Sequence, residues 1–191
     1  MRTSKLICFT MIAALSALQA LPVTSTASPP PNICPDGGFS TAEIIVLKDD
    51  YSVPEDELAQ KWHLIVNGKA GADAVPAAAD GGCRITVKSP GKTAEDIRLC
   101  VRPLSFTSGM TYRLTFSART QSSRTIDVCF DRPGAEKLRY GEGTVTLNPG
   151  TGRYSFEFDM TGKCTRTARL WFGLGESADD VWIGDVSVEM L

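Results

Sequence analysis

Histidine is nearly absent from these 191 residues: His63 is the single one. One imidazole and no Cys-x-x-Cys pair leave no spacing that would assemble a zinc site. The same scarcity argues against a Ser-His-acid triad, and no G-x-S-x-G elbow presents a nucleophile. Charge of either sign is not in excess. The formal net charge is −2 and no basic stripe occurs, so no nucleic-acid partner is expected. Long hydrophobic runs are missing as well. The longest, Leu6 to Leu21, is too broken to read as a membrane span. It follows Arg2 and Lys5 and ends in small residues, with a cleavage site after Ala27. That pattern predicts a secretory signal peptide over residues 1–27, with no membrane span after its removal. The expected location is secreted and extracellular, or periplasmic in a Gram-negative cell.

What remains is a proline-rich extended leader, residues 28–33, and a single domain, residues 34–191. About 160 residues suffice for one core. Period-two alternation fills the chain from Gly82 onward. Strands are expected at Arg84 to Lys88, Ile97 to Val101, Tyr112 to Ala118 and Arg124 to Phe130. More follow at Thr144 to Leu147, Arg153 to Met160, Ala168 to Leu174 and Val181 to Met190. Each is short, rich in β-branched or aromatic residues, and bounded by Gly, Pro, Asn or Asp. Upstream, Glu43 to Leu47 and Trp62 to Val66 read as strands. Pro54 to Lys61 reads as one or two helical turns, and Asn67 to Gly82 as an Ala- and Gly-rich surface loop. Such regular short strands define an all-β sandwich or barrel.

Cys34, Cys83, Cys100, Cys129 and Cys164 follow the leader. An oxidising compartment would allow two disulfides and one spare thiol, with the pairing left open. A direct Cys83–Cys100 bond meets an obstacle. Cys83 shares parity with the core residues Ile85 and Val87, whereas Cys100 opposes Ile97, Leu99 and Val101.

Several segments, in order, carry a family pattern. They are Asp36-Gly37-Gly38-Phe39-Ser40, then Trp62, Arg84 to Val87 with Pro90-Gly91, and Asp96-Ile97-Arg98-Leu99. Gly109 to Ala118 (G-M-T-Y-R-L-T-F-S-A), Arg124 to Val128, Arg153 to Met160, Ala168 to Gly175 and Val181 to Val188 follow. In this the chain resembles the carbohydrate-binding modules of families four, nine and twenty-two. The resemblance implies a jelly-roll β-sandwich of two antiparallel sheets, of galactose-binding-like architecture. It departs from the pattern at Arg98, where glutamine is frequent, and at Gly184, where an acid is usual.

Parity and resemblance together nominate a ligand-binding set. In the strand Ala168 to Leu174, Leu170, Phe172 and Leu174 face the core, and Arg169 and Trp171 face outward. A tryptophan can stack on a pyranose while guanidinium donors reach its hydroxyls. The resemblance adds Arg124 and Tyr140 as cleft-lining residues, Arg98 as a polar cleft residue and Tyr51 as a second stacking ring. Asp127 shares the outer parity of its strand and is a candidate acceptor for sugar hydroxyls. Asp185 matches a structural calcium site in the resemblance, although calcium needs six to eight oxygens. Tyr112, Leu114, Phe116 and Ala118 form a core stripe, as do Tyr154, Phe156, Phe158 and Met160. Trp62 and Trp182 are expected to be structural.

The reading is a secreted, non-catalytic and monomeric protein that binds a polysaccharide or cell-wall glycan of the glucan or xylan class. The first alternative is a protein-interaction or structural sandwich without sugar binding. The second is a glycoside hydrolase or lyase using Glu157 and Asp159, which share a strand face with Cβ atoms about 7 Å apart.

Overall fold

The computed structural model describes residues 30–41, 43–49, 56–133 and 138–191. Residues 1–29, which hold the expected signal peptide and the first residues of the expected leader, and Tyr51 lie outside them. A strand with alternating side chains must bury one face, and here two sheets bury theirs against each other. With strands numbered in chain order, the first sheet runs β1 (Ile45–Lys48), β2 (His63–Val66), β5 (Ile97–Phe106), β10 (Thr165–Gly173), β7 (Arg124–Arg132), β8 (Leu138–Leu147). The second runs β3 (Asp73–Ala79), β4 (Gly82–Ser89), β11 (Val181–Met190), β6 (Thr111–Thr120), β9 (Gly150–Asp159). Every pairing is antiparallel except β1 with β2. The expected jelly-roll sandwich is therefore present.

Leu99, Val101, Leu170, Phe172, Ile126, Val128 and Phe130 from the first sheet meet Ile85, Leu114, Phe116, Ile183 and Val188 from the second, all fully buried. Each such side chain contributes about 1.5–3 kcal/mol by leaving water. Aromatic pairs fill one end: Phe106 meets Tyr112 edge-on at 4.7 Å, and Phe130 stacks on Phe158 at 4.6 Å. Gly141 and Gly143 face these rings from β8. A Cβ there would lie 2.6 Å from Phe158 or 2.5 Å from Phe156. At the other end Trp62 stacks on Phe39 at 4.4 Å and donates from Nε1 to the Asp36 carbonyl. The N-terminal segment is stitched to β11 by Ile33 N–H to Val188 O and Val186 N–H to Gly37 O.

Three expectations need correction. The segment taken as a loop, residues 67–82, contains β3. Its alanines are weak strand formers, but as an edge strand it borrows its order from β4, and an edge tolerates Pro76. Asp56–Gln60 forms turns and no helix; its predicted start at Pro54 lies outside the described residues. The disulfides are absent among the described residues: Cys34, Cys83, Cys100 and Cys129 are buried thiols and Cys164 an exposed one. Geometry gives a reason. Cys83 faces the interior, whereas Cys100 and Cys129 lie on the outer face of the first sheet, one strand to either side of Trp171. Two strand spacings are about 10 Å, beyond the ~7 Å Cα reach of a disulfide. Burial also pushes the Cys34, Cys83 and Cys129 thiols up to about 12, which starves any exchange of thiolate.

Candidate binding cleft

The outer face of the six-stranded sheet carries the chemistry. One row crosses it in register: His63, Cys100, Trp171, Cys129, Glu142. The next row reads Ile65, Arg98, Gly173, Asp127, Thr144. Beyond the first row on its other side, Arg169 pairs with Asp131 and Asp131 with Arg139. Period two in each strand puts all these side chains on one side.

A small apolar cluster, Leu47, Leu58, Ile65, Cys100, Cys129 and Trp171, covers the β1 to β10 part of this face. Leu58 comes from the Asp56–Gln60 turn, anchored by Gln60 N–H donating to the Arg102 carbonyl at 2.6 Å. Toward β7 and β8 the face stays open. There a cavity of ≈ 220 Å³ is lined by Asp127, Cys129, Arg139, Glu142, Thr144 and Trp171.

Asp131 is the hub. Its two oxygens accept from Arg169 Nε at 3.0 Å and Nη2 at 2.7 Å, and from Trp171 Nε1 at 3.0 Å. Both members of the ion pair are largely buried, so each needs the other to offset desolvation. Arg98 and Arg139 each hold a guanidinium 6.0 Å from the Trp171 ring centre. Arg139 is fixed by Glu142 and by Glu95 at 2.8 Å, bridging β8 to the 3-10 turn Ala94–Asp96.

The field across the cleft is uneven. Burial holds His63 down at about 4 although its Nδ1–H donates to the Lys61 carbonyl at 3.3 Å, and nearby Arg102, Arg169 and Arg98 press the same way as burial. On the opposite flank burial raises the Asp127 carboxyl, helped by Glu176, Glu95 and Glu142. Arginines thus bear on His63 at one flank, and carboxylates bear on Asp127 at the other, where Arg139 opposes them.

The sequence-predicted residues divide. Arg98, Arg169 and Trp171 share the outer face on adjacent strands. Trp171, however, is only 2% exposed, so the expected open stacking platform is replaced by a ring clamped by Leu58's cluster and two guanidiniums. Arg124 is not in the cleft. It has the inward parity of Ile126 and Val128, is buried, and donates to the carbonyls of Asp179 at 2.5 Å and Leu174 at 2.6 Å. Tyr140 turns inward as well. A register shift between Phe130 and Asp131 inserts it as a bulge, and its ring packs 6.3 Å from Phe106. Tyr51 lies outside the described residues. Asp185 is exposed at a bulge in β11 with φ 48, and it offers one carboxylate. No group of three or more His, Cys, Asp or Glu that could hold a metal gathers among the described residues. A single carboxylate supplies a minority of the six to eight oxygens that calcium takes.

Sequence reasoning passed over Asp131, Arg139, Glu142 and Arg102. The expected strand stopped at Phe130, one residue before the hub. Continuing its alternation through Asp127, Cys129 and Asp131 would have found it.

The two sheets define a jelly-roll β-sandwich. The comparisons agree on that fold. The chain is similar to a solved structure described as "CBM4 structure and function", with TM-score 0.71 and 22% identity over 83% of this chain and 99% of that one. It is also similar to the N-terminal cellulose-binding domain of β-1,4-glucanase C from Cellulomonas fimi, with TM-score 0.55 and 14% identity over 69% of this chain and 90% of that one. A putative sugar-binding protein from Bacteroides thetaiotaomicron matches with TM-score 0.55 and 12% identity over 84% of this chain and all (100%) of that one. No protein-family model matches the chain, and no curated protein does.

Proposed function

We propose that the protein is a secreted, non-catalytic carbohydrate-binding protein that holds a polysaccharide, of the glucan or xylan class, on the outer face of the six-stranded sheet. The observation that carries this reading is the cleft of ≈ 220 Å³ lined by Asp127, Arg139, Glu142 and Thr144. It presents donors and acceptors on a rigid sheet, and the solved neighbours of this fold are named as carbohydrate-binding or cellulose-binding modules. The catalytic alternative loses support from position. Glu157 and Asp159 sit on β9 of the other sheet, where Arg113 binds Glu157 at 2.8 Å and Thr111 binds Asp159 at 2.7 Å. The interaction-module alternative keeps one observation in its favour, the burial of Trp171, which leaves the cleft no open aromatic face among the described residues.

Affinity electrophoresis and pull-down of the folded protein against soluble and insoluble glucans, xylans and chitin test the reading. They are run with calcium and with chelator. Retardation by one class, without release of reducing sugar, supports it. Folded protein that binds none across the panel overturns it in favour of the interaction module.

A further inference from the structure

Resting on the carbohydrate reading above for the class of ligand but not for the place, we propose a second saccharide site on the outer face of the five-stranded sheet, where a neutral sugar unit meets Asp80, Gln121 and Arg84 beside the Trp182 indole.

The site begins with two glycines. One row crosses the outer face of this sheet in register: Ala77, Arg84, Trp182, Arg119, Thr151. The row beside it reads Ala79, Gly82, Gly184, Ser117, Arg153. A Cβ at Gly82 would lie 2.6 Å from the Trp182 ring, and one at Gly184 2.5 Å. The indole therefore lies flat along the sheet over both glycines, with Nε1 donating to the Ala79 carbonyl at 2.8 Å. Gly184 stands where the family pattern has an acid, so this seat is the chain's own.

Beside the ring opens a cavity of ≈ 310 Å³, lined by Asp80, Arg84, Arg119, Gln121, Asp180 and Trp182. Ligand pockets run from about 300 to 1,000 Å³, so this one suits a short saccharide. It shares no lining residue with the cleft on the six-stranded sheet. Its polar groups are incompletely used. Among the described residues the Asp80 carboxylate meets only Arg119, at 3.7 Å and beyond hydrogen-bond reach, and the Gln121 amide meets no partner. Arg84 commits one nitrogen to Asp180 at 3.3 Å. Arg119 commits Nε to Thr151 at 3.1 Å, and its guanidinium stands 5.1 Å from the Trp182 ring centre.

These features select the ligand's chemistry. Two arginines and two aspartates balance, so neither an anion nor a cation is favoured. A bare acceptor, an amide with both functions and guanidinium donors around one cavity are matched by hydroxyl groups, which donate and accept alike. The indole is 7% exposed with Arg119 across it, so it supplies an apolar wall while hydrogen bonds carry the binding. A polyhydroxy ring with an apolar face meets each of these demands. The two sites lie on opposite faces of the sandwich, so one molecule bridges two glycan chains.

The test is a proton–nitrogen NMR titration of the labelled full chain with cello-, xylo-, manno- and galacto-oligosaccharides, and with sorbitol as control. The Trp182 indole N–H and the Gln121 side-chain amide report this site; the Asp127 and Thr144 backbone amides report the cleft. At least one sugar should shift the Trp182 and Gln121 signals to saturation. The double variant Asp80→Asn, Gln121→Ala should weaken that binding about tenfold and leave the shifts at Asp127 and Thr144 as they were. Both residues are exposed, and asparagine suits the φ of 52 at position 80, so the variant keeps its fold. Shifts at the cleft alone overturn the inference and leave the carbohydrate reading standing. An affinity at Trp182 unchanged in the variant, or matched by sorbitol, does the same. Shifts at Trp182 alone uphold this site and overturn the cleft. No shift at either, by folded protein, overturns both.

Discussion

Acidification below pH 6.5 should destabilise this protein through one residue. His63 is 1% exposed, its Nδ1 lies 3.3 Å from the Lys61 carbonyl, and burial together with three nearby arginines holds its pKa down at about 4. In the unfolded chain the same imidazole titrates near 6.5. Between those values the unfolded state takes up a proton that the folded state refuses. Stability is thus complete above pH 6.5, falls as pH drops from 6.5 toward 4, and loses nothing further from this residue below 4. The span corresponds to about 3 kcal/mol, a large share of the 5–15 kcal/mol typical of a domain. Asp127 works against it. Its raised folded pKa makes protonation favour the native state as pH falls, so the cleanest background is Asp127→Asn. Because His63 is the only histidine, its ring protons report without overlap in a proton NMR titration. The expected results are an imidazole that remains neutral well below pH 6 and a urea midpoint that falls from pH 7 to 4.5 in Asp127→Asn. Adding His63→Leu should flatten that fall. An imidazole titrating near 6.5, or a midpoint unchanged over this range, refutes the reasoning.

Asp131→Ala should cost about 3–5 kcal/mol, because Arg169 and the Trp171 Nε1 lose a buried acceptor together; denaturant melts at neutral pH measure it. Gly184→Asp, which restores the acid of the family pattern, should also destabilise, by about 1–3 kcal/mol. A Cβ at 184 would lie 2.5 Å from the Trp182 ring, so the indole must leave its hydrogen bond to the Ala79 carbonyl, and its fluorescence should shift with the melting temperature. A thiol reagent on native protein should label Cys164 alone among the five described cysteines, the other four reacting only after unfolding. Mass mapping of the labelled peptides decides.

Alternation made most of the sandwich legible. Val181–Met190 was read to the residue, and the strands around Tyr112, Arg124 and Ala168 were found with their faces assigned. What alternation could not show arises where local and tertiary rules part. β3 has little strand propensity and exists because β4 offers it a ladder. Tyr140 faces inward because one bulge reverses parity, and a bulge leaves no mark in the local pattern. Arg124 is the instructive case: its parity with Ile126 and Val128 already pointed inward, and only the family pattern placed it in the cleft. Gly184, a departure from that pattern, is explained by the close approach of Trp182.

The burial of Trp171 changes how the proposed cleft must work. A ring already 2% exposed has almost no apolar area left to bury against a sugar, so stacking on it cannot be the main source of affinity. Its part is to hold Arg98 and Arg139 by their guanidinium faces and to share Asp131 with Arg169. The binding surface that results is made of fixed donors and acceptors. Neutral hydrogen bonds return about 0.5–1.5 kcal/mol each, against about 1.5–3 kcal/mol for those to a charged group. A neutral glycan must therefore make several contacts at once to overcome the entropy of association.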